Sequence, residues 1–390
     1  MIHQVRLSEI TRIRLNEIVR LQQRLLLYAA SEGHIDATGC AAFLETFHDI
    51  SSRGQQIARW VWKKSTRCNE LERFSLGTAV LKQEFYQRLL NQIQIFESGN
   101  GLLEAMAVPE RTREYEDQPE SLKGAWKFLK GSYDDLCDTG FPSFLFSPSD
   151  AGDFRRQDFL KAFERDNRRL YVCAVCDESA YETSVDGEIR TEIEHYFPKS
   201  LYPHFACHPL NLIPICHLCN SAVHGSADPL DAGANSRHNL EDIFLPYREL
   251  GLRSTAYLSV EVGATRRRTR LGPLAPLPQI DLRQRLVAFR RIYRIPDRWN
   301  EKRVRIGDNL FRRIRQFVKV HRSPVDDDSL VILLEEIHRL LNEDSQGKEP
   351  YGFAMIWWLV ALIKVEKGRR EAGQQLSPLM REIKNFCGLR

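Results

Sequence analysis

The chain has 390 residues, 43% hydrophobic and 28% charged, with a formal net charge of only +4. Length and apolar share allow two or three domains with cores of ordinary size. A membrane or secreted protein is not expected: the longest uncharged apolar run, Tyr351 to Ile363, is too short to cross a bilayer, and Met1 to Glu17 alternates charge with aliphatics.

The first 139 residues read as a helical N-terminal domain. Ile10, Ile13, Leu15, Ile18, Leu21, Leu25 and Leu26 recur at mostly three- and four-residue intervals, the amphipathic pattern, and Asp36 to Phe47 repeats it. Trp60 and Trp62 sit in a basic segment and read as a core edge in preference to a base-stacking platform. A Gly-rich break after Glu97 and a polar stretch from Arg111 to Glu120 precede another helix, Leu122 to Leu136.

The second unit, 140–245, opens on an irregular aromatic stretch, a helix from Arg155 to Asn167, and a strand-like Arg169 to Val172. Asp186 and Gly187 read as a hairpin tip. Cys173 and Cys176 form one pair with a two-residue gap and Cys216 and Cys219 another, the spacing that lets both thiolates of a pair reach one tetrahedral Zn2+. Thirty-nine residues separate the pairs, too many for a simple zinc ribbon, so a further element is folded between them. That interval carries Glu194, His195, Pro198, Lys199 and Asn211, and Asn220 and His224 follow the second pair. Nine cysteines, four of them committed to one zinc, fit a reducing compartment, so a cytoplasmic location is expected. Cys207, with no partner two residues away, reads as structural, and His204, His208 and His217 as packing residues.

The third unit, 246–390, begins as a small sheet, with Ile243 to Tyr247 and Ala256 to Val262 as its strands, and continues as helices around Leu286 to Tyr293, Val304 to Phe317, Ser329 to Leu341 and Gly352 to Val365. Residues 246–322 hold about twenty Lys and Arg against about six Asp and Glu, so the remainder of the chain is net acidic. The run Arg266, Arg267, Arg268 and Arg270 and the arginines of the next helix form a candidate track for a phosphate backbone.

The Glu194-His195 pair with Pro198 three residues on, the Asn211-Leu212 turn, and the second Cys pair running into Asn220 together resemble the HNH endonucleases, over about 60 residues of the chain. The resemblance implies an α+β protein: a central ββα-metal module with a structural zinc site, flanked by mainly helical regions. It implies hydrolysis of nucleic-acid phosphodiesters, with DNA the expected substrate. His195 would be the general base, since an imidazole of ordinary pKa near ~6.5 is largely neutral at physiological pH. Glu194 and Asn220 would hold Mg2+ or Mn2+, and Asn211 would tie the loop ends and orient the histidine. Adjacent strand residues point to opposite faces, so the strand is expected to break at this pair and let Glu194 reach the ion from the edge. His224, one helical turn after Asn220, is either a third ligand or a phosphate contact, and Lys199 is either a phosphate contact or a solvated charge.

The longer motif is similar to HNH proteins of bacterial anti-phage systems, which often act with an ATPase or sensor partner. No phosphate-binding Gly-rich loop of the P-loop kind is present, so a nucleotide-driven switch would come from another chain. One centre per monomer would nick, and a homo-oligomer would cut both strands. A reading from a different class is an idle zinc module that only binds DNA or a protein partner; retention of the Glu-His pair favours the enzyme.

Overall fold

The computed structural model describes the chain apart from residues 98–117, 148–151, 179–188, 190, 234–235, 249–250, 279, 322–326, 345–346 and 390. The hairpin tip expected at Asp186 and Gly187 and most of the polar stretch after Arg111 lie outside the described residues. The architecture is helix-rich with, among the described residues, three small two-stranded antiparallel sheets, an α+β arrangement. Among the described residues no helix is long and apolar enough to cross a membrane.

Helices α1 (Glu9–Ser31), α2 (Ala37–Glu45), α3 (Gly54–Lys63), α4 (Ser65–Ser75), α5 (Ala79–Glu97) and α6 (Glu120–Asp138) build the N-terminal region, joined by α7 (Arg156–Asp166). Asp36 caps α2 by accepting from the Gly39 N–H at 2.7 Å. The apolar stripe of α1 starts at Leu15 and runs through Ile18, Leu21, Leu25 and Leu26, all buried. Ile10 and Ile13, counted in that stripe from spacing alone, are 40% exposed, because the buried face at the start of the helix is carried by Thr11 and Arg14. Trp60 is half-buried at the core edge, with the Arg67 guanidinium 3.6 Å over its ring.

Strands β1 (Glu192–His195) and β2 (Leu212–Ile215) pair antiparallel, with Glu194 opposite Ile213 and His195 opposite Leu212. Helix α8 (Leu218–His224) follows directly. Beyond a small β3 (Asp231–Gly233) and β4 (Ser236–Arg237) ribbon, β5 (Ala256–Glu261) pairs with β6 (Arg270–Pro276). Ile243 to Tyr247, expected as a strand, is not one: Ile243, Phe244 and Leu245 are buried as an irregular segment, and the partner of β5 is the stretch after the arginine run. Helices α9 (Arg283–Tyr293), α10 (Ile295–Glu301), α11 (Arg303–His321), α12 (Asp327–Asp344), α13 (Gly352–Glu371) and α14 (Pro378–Cys387) complete the chain.

Three apolar clusters run across the unit boundaries anticipated from composition. One joins α1 to α7 with Ile193 and Leu212. A second gathers Met1, Ile2 and Val5, the four paired cysteines, Ile213, Ile215 and the C-terminal helices. A third, with Tyr196, Phe197, Tyr202 and Phe205, lies under the loop between β1 and β2. Side chains alternate across a strand, so the hairpin is shared: Ile193 and Leu212 face the N-terminal helices, Ile213 and Ile215 the C-terminal ones.

Two histidines of the loop are locked into this packing. His204 lies 4.1 Å from the Phe205 ring and 5.9 Å from Trp126, and neither of its ring nitrogens has a hydrogen-bond partner among the described residues. Burial pushes both His204 and His208 down to about 3. In the unfolded chain they titrate near ~6.5. Between these values the unfolded state binds more protons, so stability is full above the unfolded pKa and falls as pH drops below it. Each histidine is expected to cost about 1.4 kcal/mol per pH unit well inside that window. Urea melts between neutral pH and pH 4.5 read this slope, and His204→Phe should flatten it.

Candidate metal centres

The four cysteine sulfurs form the one gathered group of metal-ligating side chains among the described residues. All four are buried, their sulfurs lie within 4.8 Å of one another, and none is in a disulfide. Cys176 Sγ and Cys216 Sγ are 3.7 Å apart, close to the roughly 3.8 Å edge of a tetrahedron with ~2.3 Å Zn–S bonds. The cluster can hold a structural metal such as Zn2+, and its surroundings suit the negative charge of four thiolates. The Cys216 N–H donates to Cys173 Sγ at 3.5 Å, and Arg298 Nη1 donates to Cys219 Sγ at 3.3 Å. Burial alone would lower the Arg298 pKa, yet the sulfurs of Cys219 and Cys176 and the nearby Glu178 carboxylate raise it.

The first pair is anchored from behind. Asp177, in the left-handed region at φ 59°, accepts from the Phe353 N–H at 2.7 Å and meets His3 Nε2 at 2.5 Å. Trp299 Nε1 donates to Cys176 O at 3.1 Å. The second pair leads into α8, so a metal bound by all four sulfurs would fix α8 against the hairpin.

Next to this clamp the strand does not break where expected. It continues through His195, and alternation sends Glu194 and His195 to opposite faces of the hairpin. Glu192 and Glu194 face α8. That helix is wound widely, with the Gly225 N–H reaching back five residues to Asn220 O at 2.8 Å. A two-residue step along β1, about 6.6 Å, is thus matched by one turn of α8. Asn220 meets Glu192, and His224 meets Glu194.

The Glu194 and His224 side chains are almost wholly enclosed, 3% and 0% exposed, with Nδ1 against Oε1. The His224 ring also stacks on Tyr293 at 5.6 Å, and its Nε2 has no hydrogen-bond partner among the described residues. Burial pushes the Glu194 carboxyl above the usual range, and the imidazole offsets only part of that. Asn220, expected beside Glu194, instead gives its Nδ2 to Glu192. Glu192 also accepts from Ser221 Oγ at 3.0 Å and pairs with His217 Nδ1 at 2.6 Å. Burial opposes its charge, but these three partners prevail and hold its carboxyl below the usual range. Sequence reasoning passed over Glu192, although two-residue periodicity back from Glu194 would have put it on the same face.

His195 is 9% exposed, with its ring 4.1 Å from that of Tyr133 on α6. Its Nε2 lies 3.1 Å from Ala206 O. A carbonyl only accepts, so Nε2 carries the proton and Nδ1 is the basic nitrogen. Burial, and secondarily the charge of Lys199, push the imidazole down to about 3, which keeps it neutral. Asn211, wholly buried, closes the loop: its Oδ1 accepts from the Phe197 N–H at 2.7 Å and its Nδ2 donates to Phe197 O and Phe205 O at 3.0 Å each. Lys199 caps the His195 side of the hairpin, with Nζ 2.8 Å from Asp134 Oδ1 and 4.6 Å from the Tyr133 ring centroid.

The arginine run is divided. Arg266 is turned inward, paired with Asp308 at 2.7 Å and Glu382 at 3.2 Å and lying over Phe311. Arg267, Arg268 and Arg270 are exposed and line an open depression of about 640 Å3 with Arg303, Glu261 and Asn300. On α9, Arg291 is held by Asp231 at 3.1 Å and Arg290 by Asp297 at 3.5 Å.

No family model matches the chain, and no curated protein or solved structure does.

Proposed function

We propose that this chain is a metal-dependent endonuclease of the HNH type, hydrolysing phosphodiester bonds of DNA with Mg2+ or Mn2+, and that it serves bacterial defence against phage beside an ATPase or sensor partner. The observation that carries the nuclease reading is the Glu194-His224 contact, at the junction of a two-stranded hairpin and a helix, beside the four-cysteine clamp. A buried carboxylate and imidazole in contact, with neither ring nitrogen in a regular hydrogen bond among the described residues, form a donor set that fits a divalent ion of the first transition row. For Mg2+ the set fits less well, since that ion takes oxygen ligands; Mn2+ is therefore the favoured ion, with Asn220 Oδ1 able to join after a side-chain rotation.

The ion, when bound, would neutralise charge on the phosphate and on the departing 3′ oxygen. Glu194 and His224 would hold it on the α8 face. His195, which β1 holds on the opposite face, would take a proton from the attacking water at Nδ1, its tautomer set by Ala206 O, once the end of β1 turns the ring toward the phosphate on the α8 face. Asn211 keeps the loop carrying that carbonyl in register with the end of β1. Lys199, at the rim, would contact phosphate once released from Asp134, and Arg267, Arg268 and Arg270 would grip the backbone further along.

One observation favours a second reading, an inactive zinc module that binds DNA or a partner: His195 is nearly closed off by Tyr133. Under the enzyme reading, α6 and the loop after Pro198 must part before water reaches the imidazole, a task suited to a partner or to substrate. The test is cleavage of supercoiled plasmid with Mn2+ or Mg2+. General-base removal in His195→Ala is expected to slow cleavage by about 10²–10⁴-fold. Wild type and variant leaving the plasmid equally intact under both metals would favour the inactive module.

A further inference from the structure

A second basic site lies away from the arginine run, behind the Cys173-Cys176 pair. Its cavity, about 620 Å3, is lined by Arg6, Arg165, Arg168, Arg169 and Arg253 against a single acid, Asp166. The arginines come from three separate stretches of chain, and Asn342 of α12 closes the rim. Only Arg165 is paired with the acid, at 3.0 Å. Arg6, Arg168 and Arg169 are exposed and make no ion pair among the described residues. Arg253 is half-buried on the wall, with Nη2 donating to Asn342 O at 3.2 Å.

The backbone under these side chains is fixed. Asn167 accepts from the Arg6 N–H at 2.8 Å, returns Nδ2 to Arg6 O at 2.9 Å, and is accepted in turn by Phe163 O at 2.8 Å. The Leu170 N–H closes the turn on Asn167 O at 2.8 Å, and the Tyr171 N–H bonds Gly347 O at 2.6 Å. Guanidinium groups bind phosphate through paired N–H donors, and holding their backbones in place lowers the ordering cost of binding. No Phe, Tyr or Trp ring lines the cavity, and its one imidazole, that of His3, is held by Asp177, so the lining offers little surface for stacking a base.

We infer that this cavity binds a chain of phosphates: the backbone of a nucleic acid or a free polyphosphate. Its independence from base identity follows from the lining. Its inner wall shares His3 with the Asp177 anchor of the cysteine clamp, so a ligand there touches the same scaffold that holds α8.

The test compares wild type with Arg168→Glu/Arg169→Glu, whose positions are exposed, and with Arg312→Glu/Lys319→Glu, an equal charge reversal on α11. Without added Mg2+ or Mn2+, so that cleavage does not enter, two probes are used: tripolyphosphate read by thermal shift and a fluorescein-labelled DNA duplex read by anisotropy. The wild type and the α11 variant are expected to bind, and the Arg168/Arg169 variant to lose at least tenfold in affinity. If DNA is the source, the slope of log affinity against log salt falls by about 2 in that variant, as for two lost phosphate contacts. Loss confined to tripolyphosphate identifies a free polyphosphate as the source. Equal binding of both probes by both variants, or no binding by wild type, overturns the inference. Neither result bears on His195, so this site and the nuclease reading fail separately.

Discussion

Cys216→Ser is expected to purify with no zinc, where the wild type carries one per chain, and to melt about 10 °C or more below it. Structural zinc contributes an apparent ~10–16 kcal/mol to small zinc domains, as much as the whole stability of an ordinary domain, about 5–15 kcal/mol. Here the four sulfurs sit within the larger apolar cluster, between the Met1 segment and the C-terminal helices, so their loss is felt beyond the knuckles. Without the metal, the four sulfurs would face one another beside the Arg298 guanidinium with no ion to neutralise their charge. Cys207→Ser is the control. Cys207 is buried in the N-terminal cluster, and burial pushes its thiol well up, so it behaves as a small hydrophobe. Its replacement should cost about 1–2 kcal/mol and leave the zinc content at one. Elemental analysis with thermal melts reads both.

The second large effect concerns the ion on the α8 face. Glu194→Ala is expected to lower plasmid cleavage on the order of 10³-fold, because a metal-borne charge stabilisation of several kcal/mol goes with the carboxylate and each 1.36 kcal/mol is tenfold. Removing this acid leaves the buried His224 imidazole without its contact, a cost of about 1–3 kcal/mol that is small beside the ~5–15 kcal/mol of an ordinary domain, so the chain should still fold. Lost activity with a retained fold separates Glu194 from a packing role. Glu192→Gln should act differently. Glu192 holds Asn220, Ser221 and His217, so its loss loosens α8 and lowers metal affinity without abolishing cleavage at high Mn2+.

Much of this was legible in the sequence wherever chemistry depends on short spacing. Two Cys-x-x-Cys pairs specify a tetrahedral clamp whatever the chain does between them, and their sulfurs do converge. Helices α1, α9 and α11 followed from apolar periodicity because their cores are long stripes, and α13 from the unbroken apolar run Tyr351 to Ile363. What failed depended on partners distant in sequence. Nothing in Glu194-His195 itself tells whether the strand ends there; that is decided by the pairing of His195 with Leu212. Ile243 to Tyr247 has strand-like composition, yet its apolar residues fill gaps beside the third cluster and α9, and β5 pairs with residues 270–276 instead. Arg266 looked equivalent to its neighbours, but Asp308 and Glu382, 42 and 116 residues away along the chain, draw it inward.

The most direct measurement is a crystal of the protein soaked in Mn2+, with anomalous maps collected at the manganese and zinc edges. A zinc peak among Cys173, Cys176, Cys216 and Cys219 and a separate manganese peak within coordination distance of Glu194 and His224 are the expected result. Zinc at the cysteines with no manganese at Glu194, in crystals of a protein that also leaves plasmid uncut, would contradict the account.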